Sequence, residues 1–97
     1  MDRYERNIKQ IEDAGKCPLD YFLQKTKEEC LEVIEAIDEL EKAETGTEYI
    51  AKRELLQGER GDLKNCLAYL DILYDDVMKI ARIMREKVDR GYERGVE

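Results

Sequence analysis

Residues 19–40 read LDYFLQKTKEECLEVIEAIDEL, and their periodicity decides the fold. Leu19, Leu23, Thr26, Cys30, Val33, Ile37 and Leu40 alternate at spacings of four and three, which is one face of an α-helix. A strand, which alternates every second residue, cannot produce that pattern. Pro18 suits the first helical position and Thr45-Gly46-Thr47 supplies a stop, so the spacing predicts a helix over 18–44. Leu63, Leu67, Leu70, Tyr74, Val77, Ala81, Met84 and Val88 continue the same alternation downstream. No Gly or Pro interrupts residues 62–90, so 53–90 is expected to be one helix, or two with a turn near Tyr74-Asp75-Asp76. Residues 48–57, set between Gly46 and Gly58, are expected to be a loop feeding that helix. Upstream, Tyr4, Ile8 and Ile11 share a stripe, giving a short first helix within 1–15 that Gly15 ends. Gly91 is expected to close the last helix, leaving 91–97 as a basic tail.

The expectation is a single all-α domain over residues 1–97, an antiparallel helical bundle of three to four helices. Its 97 residues include 42% apolar side chains, enough for a thin core. Apolar or small residues beyond the main seams (Ile34 and Ala36, Cys66 and Leu73) would find cover in a homo-oligomer. A net charge of −7 argues against a nucleic-acid polymer or an anionic membrane as partner. No apolar run approaches the roughly 20 residues of a membrane span. Three cysteines without a CxxC pair indicate a reducing, cytoplasmic setting, with Cys30 and Cys66 as packing residues. Without histidine there is no Ser/His or Cys/His nucleophile.

Four carboxylates stand out by their relation to the seams. At about 100° per residue, Glu29 lies roughly 60° from the centre of its seam and Glu32 roughly 120°. From Leu63, Glu59 lies only about 40° off and Asp62 about 100° off. An acid at a core-facing position needs a cation or a hydrogen-bonding partner, and for Glu59 a salt bridge to Lys25 or Arg60 would also serve. If the two long helices run antiparallel, one register sets Glu29 opposite Asp62 and Glu32 opposite Glu59. The same register sets Phe22 opposite Tyr69. Four facing carboxylates repel one another unless a divalent ion joins them, and hard oxygen ligands select Mg²⁺ or Mn²⁺ over zinc.

Lys27-Glu28-Glu29-Cys30-Leu31-Glu32-Val33, then Glu59-Arg60-Gly61-Asp62-Leu63, resembles the ExxE…ExxD signature of the MazG-type all-α nucleoside triphosphate pyrophosphohydrolases. That superfamily includes dimeric dUTPases and phosphoribosyl-ATP pyrophosphohydrolases. Lys87-Val88-Asp89-Arg90 resembles the Lys-x-x-Arg at the end of the family's last helix. The resemblance implies a homodimer or tetramer that uses Mg²⁺ to cleave a nucleoside triphosphate to monophosphate and pyrophosphate. Glu29, Glu32, Glu59 and Asp62 would hold metal, and Glu32 or Glu59 would activate water. Lys87, Arg90 and Arg94 would meet phosphates, and Phe22 and Tyr69 would stack on the base unless they are core. Two features depart from the family: a short segment between Asp62 and Lys87, and no Trp in the first helix. A helical interaction or adaptor protein, or an inactive relative, is the competing reading.

Overall fold

The computed structural model describes residues 1–93 and is all-helical over them: α1 (Arg3–Asp13), α2 (Pro18–Glu41), α3 (Gly46–Tyr74) and α4 (Val77–Glu93). Each boundary has a local cause. Asp2 caps α1 by accepting the Glu5 N–H at 2.8 Å. Gly15, at φ +78°, closes it with hydrogen bonds from Gly15 N to Glu12 O and from Lys16 N to Ile11 O. Pro18 opens α2, where its missing N–H costs nothing.

The segment expected to be a loop is helical. α3 begins at Gly46 because Thr45 Oγ1 accepts the Glu48 N–H at 3.1 Å, while the Glu48 carboxylate reaches back to the Glu44 N–H at 2.9 Å. This resembles a capping box, with the carboxylate taking the N–H one residue before the cap, and its Thr-x-x-Glu spacing outweighs the two glycines. Lys52 then ties the new turns of α3 to Glu39 of α2 at 3.3 Å. α2 correspondingly stops at Glu41, short of the expected Glu44.

Of the two options for residues 53–90, the chain takes the turn. Asp75 adopts a left-handed conformation, φ 52° and ψ 46°, and Asp76 N bonds back to Asp71 O. The Asp76 carbonyl then accepts the Ile80 N–H to start α4. Gly91 does not end this helix, which continues to Glu93.

α2 and α3 form an antiparallel hairpin that supplies most of the tertiary packing, while α4 touches α3 and otherwise stands apart. The core is small: Phe22, Cys66 and Tyr69 are the buried hydrophobic residues among those described. Phe22 and Tyr69 stack face to face, ring centroids 3.9 Å apart and planes 10° apart. Tyr4 meets Tyr69 edge-on at 4.7 Å. Its hydroxyl donates to Asn65 Oδ1, and the Asn7 amide donates to Tyr69 Oη at 2.7 Å. Those contacts pin α1 across the hairpin. Cys30, expected to pack, is exposed, as are Leu31 and Ile34 beside it on α2.

Asp75 carries a side chain where the helix end favours glycine, a left-handed position costing about 1 kcal/mol for residues with a Cβ. Asp75→Gly should therefore raise stability by about 0.5–1 kcal/mol, read as a higher melting temperature.

Candidate metal centre

The stacked Phe22–Tyr69 pair fixes which carboxylates meet. Counting from it along both helices brings Glu29 of α2 to Asp62 of α3, with Glu59 one turn further on. The structure places one carboxylate oxygen from each of Glu29, Glu59 and Asp62 within 4.8 Å of the others. Glu29 is 5% exposed, Glu59 is half-buried and Asp62 opens to solvent. Glu29 and Asp62 of this group, though not Glu59, line a cleft of about 330 Å³ whose walls include Lys25, Asn65, Cys66 and the Phe22–Tyr69 pair.

Two oxygens here are without hydrogen-bond partners among the described residues: Glu29 Oε2 and Glu59 Oε2, both buried. Buried carboxylate oxygens are nearly always satisfied, because removing them from water without a partner is costly. Glu59 pairs with neither Lys25 nor Arg60 among the described residues, and it lies well inside α3 rather than at a frayed end. Lys25 turns instead to Glu29, its Nζ lying 3.6 Å from Glu29 Oε1 and 3.6 Å from Glu28 Oε2.

The electrostatics follow. Burial holds the Glu29 proton more tightly than in an ordinary carboxylic acid, the neighbouring Glu32 and Asp62 carboxylates add to this, and Lys25 opposes it. Lys25 is held more firmly protonated by Glu28 first and Glu29 second. Burial, then Glu29, pushes the Cys66 thiol up, so it stays a neutral packing group in the cleft wall.

Glu32 does not join the cluster of three oxygens; it is exposed and lies beside Glu29 at the rim. Its larger angular offset from the seam carries it outward. Phe22 and Tyr69 stack on each other and are both buried, the core position that is the alternative to stacking on a base. Lys87 and Arg90 are exposed on α4 and line no part of the cleft, while Arg94 lies outside the described residues. Lys25 as the partner of Glu29, and Asn65 in the cleft wall, are the additions. Asn65 follows Asp62 at a spacing of three, a helical signal available in the sequence.

The donor set fits a hard divalent cation: all oxygen, partly desolvated, two atoms unsatisfied, with one exposed carboxylate leaving an open side. Comparison of the chain with protein-family models, with curated proteins and with solved structures returned no match.

Because the Glu29 carboxyl titrates higher in the folded chain than in the unfolded one, its contribution to stability is full at low pH. That contribution is lost as pH rises through the folded value. In metal-free buffer, stability should increase as pH falls from neutrality toward the ordinary carboxylate range. Glu29→Gln should raise the melting temperature at pH 7.5 and flatten this dependence. An unchanged pH profile in the variant would place the response on other acids.

Proposed function

We propose that the chain is a Mg²⁺-dependent nucleotide pyrophosphohydrolase that splits a nucleoside triphosphate into monophosphate and pyrophosphate. The observation that carries this reading is the pair of buried, unpartnered oxygens on Glu29 and Glu59, brought together with Asp62. The ExxE…ExxD resemblance supplies the reaction class. Glu29, Glu59 and Asp62 would hold the ion, with Glu32 at the rim. When bound, Mg²⁺ supplies charge neutralisation at the phosphate oxygens. Glu59, or Glu32 from the solvent side, accepts the proton of the attacking water. The Phe22–Tyr69 stack and Cys66 give the cleft its apolar wall.

In this reading the working unit is a homodimer or tetramer. A compact monomer of 11.4 kDa exposes about 5,800 Å². This chain exposes 7824 Å², an excess of about 2,000 Å², which is the scale of an obligate interface. Its radius of gyration is 17.0 Å, against about 12.5 Å for a compact domain of this length. Val77, Met78, Met84 and Val88 of α4 and Leu31 and Ile34 of α2 stand among the exposed apolar residues. The two helices also differ in charge. α2 carries eight acids against two lysines, whereas α4 carries five bases against three acids. Lys87 and Arg90 line no part of their own cleft, so they would meet phosphates bound to a second copy.

The exposed apolar face of α4 also favours a second reading, a helical adaptor. Melting in EDTA and then in excess Mg²⁺ separates the two: a Mg²⁺-specific rise supports the site, and no change supports the adaptor. For the enzyme reading, a screen of canonical and modified nucleoside triphosphates with Mg²⁺, scored by pyrophosphate release, is the primary test. Glu59→Gln should abolish release while leaving the chain folded; unfolding would make Glu59 a structural residue. Arg90→Ala should raise KM by about ten- to a hundredfold with kcat nearly unchanged, as expected for a lost charge-assisted phosphate contact. Sedimentation at micromolar concentration should show a dimer or tetramer, and Met84→Asp should shift it toward monomer with helicity retained.

A further inference from the structure

Lys25 stands at the edge of the acidic cleft with two carboxylates at equal reach. Its Nζ is 3.6 Å from the buried Glu29 Oε1 and 3.6 Å from the exposed Glu28 Oε2. Neither separation is within hydrogen-bonding distance, so both pairings are of charge alone. The Lys25 side chain is 43% exposed and the Glu29 side chain 6% exposed. The lysine is thus open to solvent on one side, while its partner is withdrawn from it. Lys25 also borders two cavities, the acidic cleft and a second one of about 540 Å³ lined by Lys16, Asp20, Tyr21, Gln24 and Glu28.

We infer that Lys25 is the resident counter-ion of the acidic cleft, displaced by a divalent cation from Glu29 to Glu28, so that this residue sets the metal affinity of the site. The inference rests on the reading of Glu29, Glu59 and Asp62 as a metal site. A single ammonium cannot satisfy three carboxylates, and two oxygens remain without partners beside it. A divalent ion can satisfy them, but its charge and that of Lys25 repel at this distance. Glu28 gives the ammonium somewhere to go without leaving the helix, since Lys25 and Glu28 are one turn apart on α2. Lys25 thereby acts as a positioning residue: it keeps the apo cleft from opening under its own repulsion and yields when metal arrives. The cost of displacing it weakens metal binding.

The test is Mn²⁺ binding at pH 8 and low salt, measured by the electron paramagnetic resonance signal of free Mn²⁺ on the full chain. Lys25→Met should tighten binding by about three- to tenfold, the scale of a partly exposed charge pair in low salt. Lys25→Arg, which keeps the charge, should stay within about twofold of wild type. Glu28→Gln should weaken binding by about two- to threefold in the wild-type background, and by clearly less when Lys25 is Met. If wild type binds Mn²⁺ and Lys25→Met binds equally or more weakly, this inference is overturned while the metal site stands. If wild type binds no Mn²⁺, the metal site itself is wrong. An equal loss from Glu28→Gln in both backgrounds would overturn the role of Glu28 as the ammonium's second position. Circular dichroism on each variant confirms that the helices are intact.

Discussion

The face-to-face contact of Phe22 with Tyr69 is the constraint on which the rest of this molecule hangs. Two long helices with repetitive seams can slide past one another by a turn at modest cost, since the four-three alternation looks alike at every turn. A pair of stacked rings does not repeat along the hairpin. It sets α2 against α3 at one position, and the edges of Tyr4 and Tyr21 close around it. From that anchor Glu29 arrives at Asp62 about two turns away. The acidic cluster is therefore a consequence of an aromatic contact, and its geometry is maintained at a distance from its own charges.

That dependence explains how an electrostatically unfavourable arrangement persists in a thin core. Three carboxylate oxygens within 4.8 Å repel, and the only cation within ion-pairing reach of them among the described residues is one lysine held by charge alone. Hydrophobic and aromatic packing at one end of the hairpin, with the Lys52–Glu39 pair and the Thr45 cap at the other, brackets the strained middle. The glycines flanking Glu59 lie in this stretch, where a side chain at either would meet nothing within 4 Å.

Much of this was legible in the residues, for identifiable reasons. The apolar alternation gave the α2 and α3 seams, and an antiparallel register that joined Glu29 to Asp62 also joined Phe22 to Tyr69. The Asp75-Asp76 turn was visible as one of two options. Other features needed the third dimension. Cys30 and Ile37 lie on the seam yet are exposed, because the face of α2 that packs is rotated toward Phe22 and Glu29, which are buried. Glu32 fits the motif spacing, but its angular offset leaves it exposed at the rim beside Glu29 and outside the three oxygens that meet. Lys25 was visible as a cation near an acid, and only the fold shows that it serves Glu29 and leaves Glu59 bare. The Thr45-x-x-Glu48 cap was a legible signal that two nearby glycines obscured.

The weak attachment of α4 bears on how the chain reaches its final state. α1, α2 and α3 are joined by short connections, and although Tyr4 reaches Asn65 and Phe22 reaches Tyr69, most contacts in this helical arrangement are local, so it forms rapidly within one molecule. α4 has little of its own chain to settle on, so its apolar face would find cover only on encounter with another chain. Refolding should then divide into a fast phase independent of concentration and a slower one that accelerates with concentration. Asp75 marks the boundary between what the chain can complete by itself and what requires company.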